Sequence, residues 1–238
     1  MNIAIHGARG RMGQRLQALL AAEQDMSVVR LIETAGHPDI GNAFDGVTVT
    51  ADKNDLAGVD AVIDFSLPEG SMEMLAACLQ EKVPVIIATT GLSPEQVDQV
   101  EKAAAVIPVV YSPNMSIGVN LLFKVISEVA SILKGYEVTV VEAHHVHKKD
   151  APSGTAKKMV DLVTDKGFDI EYDDVRAVRK GEIVGDHRIL FDGPADSFEI
   201  SHHAKTRDMF ATGAIAAARW LYGKPAGLYS MQKVLGLE

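Results

Sequence analysis

Asn2-Ile-Ala-Ile-His-Gly-Ala-Arg-Gly-Arg-Met-Gly13 opens the chain and decides how its first half is read. Asn2 to His6 shows little polar alternation, which predicts a strand buried on both faces. It runs into glycines at positions 7, 10 and 13, and a helical pattern follows from Gln14 to Gln24. Strand, glycine turn and helix form the first half of a dinucleotide-binding βαβ unit, although the spacing is G-x-x-G-x-x-G rather than G-x-G-x-x-G. Gly7 is expected to make the tight turn, Gly10 to admit a pyrophosphate, and Gly13 to let helix and sheet pack closely. Ala8, Arg9, Arg11 and Met12 lie between them and join the same candidate cofactor site. A glycine-rich turn that binds no nucleotide would carry the same local sequence.

The residues that follow extend the pattern. A strand from Ser27 to Ile32 ends at Glu33, twenty positions after Gly13, where an acid suits the ribose hydroxyls of an adenosine. Further strands are expected at 47–50, 61–66, 84–91 and 109–111, with helices at 70–82 and 93–105. This alternation predicts an α/β domain with a Rossmann-type, doubly wound parallel sheet and right-handed crossovers. Ligands of such sheets bind beyond the carboxyl ends of the strands. Phe65-Ser66, Ala88-Thr89-Thr90 and Ser112-Pro113-Asn114-Met115 therefore gather at one rim, the last two as candidate cofactor contacts.

Composition narrows the possibilities. A chain of 238 residues with 47% hydrophobic and 23% charged residues has the balance of an ordinary globular protein. No apolar run has the length of a membrane span or signal peptide. The single cysteine, Cys78, excludes an intramolecular disulfide and favours a cytoplasmic location. A net charge of −9 without a basic face argues against nucleic acid as a partner. An anionic substrate would need cations supplied locally.

Those cations lie in Glu142-Ala-His-His-Val-His-Lys-Lys-Asp-Ala-Pro-Ser-Gly-Thr-Ala156. The β-branched run from Val138 leads into it as a strand, and Ser153 reads as the N-cap of a helix. The free N–H groups of that first turn favour an anion. Lys157 and Lys158 sit where the helix macrodipole disfavours cations, a conflict that a bound anion or plain solvation would relieve. His-x-His pairs also ligate metals, but the lysines would repel a cation, so no metal is expected. An exposed basic loop is the plainest alternative.

This fifteen-residue stretch resembles the signature of the dihydrodipicolinate reductase (4-hydroxy-tetrahydrodipicolinate reductase) family. It differs at Val146, where many relatives have arginine, and at Lys149, where an apolar residue is usual. Ala88-Thr-Thr90 resembles the family's Gly-Thr-Thr segment, and Ser112 to Asn120 the segment beside the nicotinamide. Arg179-Lys-Gly-Glu-Ile-Val-Gly-Asp-His187 resembles its Gly-x-x-Val-Gly-x-His turn. The resemblance implies NAD(P)H-dependent reduction of a cyclic, unsaturated imine dicarboxylate on the diaminopimelate and lysine route. It implies His144 as the acid with Lys148 as cationic partner. His145 and Lys148 are then expected to contact a substrate carboxylate, and Ser153, Gly154 and Thr155 to hold one. Asp150 is expected to fix the loop rather than react. Thr34 stands where the family often has an arginine suited to a 2′-phosphate, which leans the cofactor toward NADH. Arg9 and Arg11 keep NADPH open.

Strand candidates at 175–178, 188–191 and 197–201, with no helix between them, predict an α+β second domain on an open mixed sheet. Self-association would cover such a sheet. The domains expected are 1–115 with 207–238 for the dinucleotide, and 116–206 for substrate binding and oligomerisation. The resemblance implies a homotetramer, and a tail that returns to the first domain. His202 and His203 read as surface or packing histidines. Two other functions remain open: a related two-domain dehydrogenase acting on another small carboxylate, and a protein that senses NAD(P)H without turnover. The His144/Lys148 pair speaks against the sensor, which needs no proton donor.

Overall fold

The computed structural model describes residues Met1 to Glu238. The chain forms two compact units. The first comprises Met1–Ser116, Phe210–Gly236 and Glu238; the second comprises Ile117–Met209 and Leu237.

The first unit contains β1 (Asn2–His6), α1 (Arg11–Leu20), β2 (Ser27–Ile32), β3 (Ala43–Phe44), β4 (Val47–Thr50), β5 (Ala61–Asp64), α2 (Pro68–Glu81), β6 (Val85–Ile87), α3 (Pro94–Ala104) and β7 (Pro108–Tyr111). The second carries α4 (Ile117–Ile132), β8 (Glu137–His144), α5 (Gly154–Thr164), β9 (Arg176–Arg179), β10 (Gly185–Asp192) and β11 (Ser197–Ala204). The chain then runs through α6 (Asp208–Leu221), β12 (Gly227–Tyr229) and α7 (Met231–Val234).

In the first unit the strand order is β12-β7-β6-β5-β1-β2-β4-β3. All pairs are parallel except β3 with β4. The sheet is therefore doubly wound about β1. Both faces are covered: Ile3 and Ile5 pack on one side with Leu16, Ile63 and the alanines of α6, whereas Ala4 packs on the other with Val62, Met74 and Cys78. Ala211, Ala214, Ala217 and Ala218 are fully buried, and their short side chains let α6 lie close to its neighbours. Burial holds the Cys78 thiol well above its usual range.

Local chemistry sets the element boundaries. Helix α1 starts at Arg11, three residues earlier than the apolar periodicity predicts, because Gly10 adopts the extended N-cap conformation. Gly7 has φ +74°, and a Cβ there would lie 2.4 Å from the Phe65 carbonyl oxygen. A Cβ on Gly13 would lie 2.2 Å from the Gly7 carbonyl oxygen. Both positions therefore require glycine for the turn and for close helix–strand contact. At α3, Ser93 and Gln96 form a reciprocal capping box, with Pro94 opening the first turn.

The second unit has sheet order β11-β10-β8-β9, with β8 and β9 parallel and the other pairs antiparallel. Helices α4 and α5 cover one face through Ile126, Met159 and Val163 against Val140, Ile189 and Phe191. Strand β11 forms an edge, and its Phe198 is 47% exposed. No helix is long and apolar enough to cross a membrane.

Candidate active site

Strand β8 sends alternate side chains to one face, and Val140, Glu142 and His144 share the buried row. The row is apolar where helices cover it and becomes polar at its carboxyl end, beside the start of α5. Glu142 is 1% exposed, so its charge needs partners. Its Oε1 accepts from Arg179 Nη2 at 2.8 Å and from the Ser153 N–H at 3.3 Å. Its Oε2 pairs with His144 Nδ1 in a short contact. Arg179 also donates to the Asp150 carbonyl at 2.6 Å, tying the histidine–lysine loop to β9. Outside β8 proper, Lys180 N–H donates to the His144 carbonyl and Val146 N–H to that of Gly181, so the 180–184 turn extends this pairing.

The remaining nitrogen of His144, Nε2, lies over Gly185, where a Cβ would approach it to 3.0 Å. The absent side chain leaves room for the ring. The His187 ring stands edge-on to His144 at 5.2 Å between centroids. Its Nε2 lies 3.3 Å from Ser153 Oγ, which also accepts from the Ala156 N–H at 3.2 Å. Burial pushes His187 down to about 3, reinforced by His144, His202 and Lys148, so the ring is neutral near pH 7. For His144, burial is the largest influence and lowers the pKa; Glu142 opposes it, while Lys148 and Arg179 lower it further.

The other expected substrate residues surround this core. His145 is half-buried, and its Nδ1 is buried without a hydrogen-bond partner. Lys148 pairs with Asp150 at 2.8 Å, which supports Asp150 as a loop-fixing residue. Ser153 is buried, and both its hydroxyl and its N–H are committed within the protein. Gly154 is exposed and Thr155 half-exposed. The first intrahelical bond of α5 is donated by Lys157, so the N–H groups of Gly154 and Thr155 precede the helical ladder. Lys157 and Lys158 are exposed, and the Lys157 ammonium sits 5.7 Å from the Tyr172 ring, so solvation and an aromatic face relieve the dipole conflict. Ligand atoms of Glu142, His144 and His187 lie within 4.8 Å of one another. The set suits a metal poorly, because Arg179 and His144 already occupy both oxygens of Glu142.

In the first unit the glycine turn leaves the N-terminus of α1 without a side-chain cap. The first helical bond is donated by Gln14 to Gly10, so the N–H groups of Arg11, Met12 and Gly13 precede the helical ladder, whereas those of Gly7, Ala8, Arg9 and Gly10 bond within the protein. Ala8 is fully buried, Met12 packs on the core, and Gly10 and Arg11 are exposed. Glu33 accepts from the N–H groups of Arg9 and Thr34, each at 2.9 Å, which fixes the carboxylate at the end of β2. Arg9 is itself engaged: Nε bonds Asp39 at 2.7 Å and the guanidinium lies 3.5 Å from the Phe44 ring centroid. At the rim, Ala88 is buried, Thr90 and Pro113 are exposed, and Ser112 Oγ bonds the Asn114 carbonyl at 3.0 Å. Met115 is 2% exposed and packs in the core of the first unit.

Some residues of these sites carry no role in the sequence reading. Asp64 is fully buried and accepts from Thr89 Oγ1 at 2.9 Å and from Ser71 Oγ, with His6 Nδ1 at 2.7 Å. Thr89 Oγ1 in turn accepts the Ser66 N–H at 3.0 Å, so this network holds two rim segments. An acid closing the apolar run Ala61-Val-Ile-Asp64 was the available signal. Glu142, Arg179 and His187 lie inside recognisable motifs, but only the fold reveals their contact.

A doubly wound nucleotide unit, joined to a unit bearing a buried histidine and local cations, defines a two-domain NAD(P)-dependent oxidoreductase for small anions. Within that class, the chain belongs to the dihydrodipicolinate reductase family. The family's N-terminal model matches residues 1–115 and its C-terminal model residues 118–235. The 4-hydroxy-tetrahydrodipicolinate reductase of Syntrophotalea carbinolica is 40% identical, with 100% of both chains covered. That of Nitrosomonas europaea is 39% identical over 100% of this chain and 99% of its own. Among solved structures, a dipicolinate-bound dihydrodipicolinate reductase from Paenisporosarcina sp. TG-14 has a TM-score of 0.84 at 26% identity, covering 98% of each chain. A Corynebacterium glutamicum DAP dehydrogenase in complex with DAP, at 15% identity and TM-score 0.61 over 99% of this chain and 93% of its own, shares the fold alone.

Proposed function

We propose that the chain reduces 4-hydroxy-tetrahydrodipicolinate, which loses its 4-hydroxyl as water, to tetrahydrodipicolinate in lysine and diaminopimelate biosynthesis. The observation that carries this reading is His144, held through Nδ1 by buried Glu142, with Nε2 over Gly185 and Lys148 in the adjoining loop. The first unit holds the dinucleotide through the Gly7–Met12 turn, Glu33, the 88–90 segment and the 112–115 segment. NAD(P)H supplies a hydride to ring carbon 4 of the substrate when bound. His144 delivers a proton from Nε2 to the adjacent ring carbon, and it recovers that proton from solvent between turnovers. Lys148 and His145 bind one carboxylate. The N–H groups of Gly154 and Thr155 bind the other at the start of α5, while Ser153 positions that turn. A dianion beside His144 favours the imidazolium, so bound substrate raises the pKa of its own proton donor and keeps it protonated to higher pH.

Glu33 supports NADH as the preferred cofactor. Its fixed carboxylate suits two ribose hydroxyls and repels a 2′-phosphate, and the neighbouring Arg9 is taken up by Asp39 and Phe44. The exposed β11 edge and Phe198 fit a homotetramer formed through the sheets, and the cytoplasm is the expected location. Nicotinamide absorbance should fall when freshly generated synthase product is added, with the larger kcat/KM for NADH over NADPH. Cofactor binding without oxidation would indicate a sensor. Oxidation by other carboxylates alone would indicate a different dehydrogenase.

A further inference from the structure

The histidine assigned as proton donor does not stand alone. Its Nδ1 contacts a carboxylate that is fully buried, fixed on the same strand two residues away, and tethered by the Ser153 N–H and the Arg179 guanidinium. A carboxylate held from three directions has little freedom to turn away. It holds a proton on Nδ1 in both charge states of the ring, and Nε2 is left as the nitrogen that exchanges. Arg179 draws on the same charge from the opposite side, through the other carboxylate oxygen. The stabilisation that Glu142 offers an imidazolium is thus shared with a guanidinium.

We propose that Glu142 and Arg179 are opposed positioning residues. Glu142 fixes the tautomer of His144 and raises its basicity, and Arg179 holds that basicity down by sharing the carboxylate. Neither residue touches substrate; both act through His144. The proposal rests on His144 as the acid. His187 on β10 faces the His144 ring edge-on, and Lys148, itself paired with Asp150, acts on it from the loop. Lys148 and Arg179 both lower the His144 pKa and Glu142 raises it, in agreement with the contacts. The arrangement differs from a simple acid–histidine pair because its two charged members pull in opposite directions.

The test is a pair of charge-removing variants, the isosteric Glu142→Gln and the shortened Arg179→Gln, in the full-length protein. The pKa and tautomer of His144 are read from imidazole 15N shifts across pH. The pH dependence of kcat is measured in parallel with NADH saturating. Removing the anion should move the His144 pKa down by about one unit, and removing the cation should move it up by a comparable amount. A general acid fails above its pKa, so the alkaline fall in kcat should move down in Glu142→Gln and up in Arg179→Gln. In Glu142→Gln the proton should also redistribute between Nδ1 and Nε2, and kcat at pH 8 should fall about tenfold or more. Glu142→Asp, which keeps the charge, should recover the direction of the wild-type profile.

Shifts of the same sign in both variants, or unmoved profiles with uniformly reduced activity, would overturn the proposal and leave the pair a structural brace. If a glutamine variant fails to fold, Arg179→Lys carries the comparison, and an unmoved His144 pKa in it would overturn the proposal. Arg179→Lys should weaken the shared contact and move the pKa up. The NMR titration needs no turnover. Opposed shifts together with full activity of His144→Gln would therefore refute the acid assignment while leaving the electrostatic coupling intact.

Discussion

At the scale of single residues, the site is built from groups whose charge is decided by burial. His187 is 4% exposed, with its pKa down to about 3 from 6.5. Between those values the unfolded chain binds a proton that the folded chain refuses, so stability rises with pH across the interval and is lost as pH falls below 6.5. From pH 6.5 to 5 this one group should cost about 2 kcal/mol. His187→Gln should lack that portion, and urea unfolding at the two pH values measures it; equal losses in variant and wild type would refute the assignment. His144 and His202 are lowered in the same direction and remain in both proteins. The sequence made His144, Lys148 and the α5 start legible because they cluster in one stretch. It concealed Glu142, Arg179 and His187 as partners. Their approach depends on β8 lying between β9 and β10, a register set by long-range pairing.

At the scale of elements, glycine and capping chemistry carried most of the legible information. The turn at Gly7 and the close packing at Gly13 follow from spacing, and the structure shows backbone oxygens where a Cβ would stand. Gly13→Ala would place that carbon 2.2 Å from the Gly7 carbonyl oxygen, which cannot move without breaking the turn. It should destabilise the protein by about 2–4 kcal/mol through overpacking and weaken NADH binding as α1 is displaced. Calorimetry and cofactor fluorescence would register both, and an unchanged Tm with intact NADH affinity would contradict this account. Among the elements that escaped notice are two short edge strands. Two-residue β3 and three-residue β12 have too few residues for a period of two to show. Helix α1 began early because an uncapped glycine turn gives no apolar signal for its first residues.

At the scale of the whole molecule, the proposed function divides the chemistry between the two units. The first presents a glycine turn and an acid at strand ends, features of dinucleotide recognition. The second presents a buried acid–base cluster beside a helix N-terminus. The family models match residues 1–115 and 118–235. The most direct test of the central claim is single-turnover NADH oxidation with freshly generated synthase product, for wild type and His144→Gln. The account predicts rapid oxidation by wild type and a loss of about 100-fold or more in the variant, each tenfold being about 1.4 kcal/mol of transition-state stabilisation, with NADH affinity unchanged. Wild-type rates in His144→Gln would contradict it and move the proton donor elsewhere.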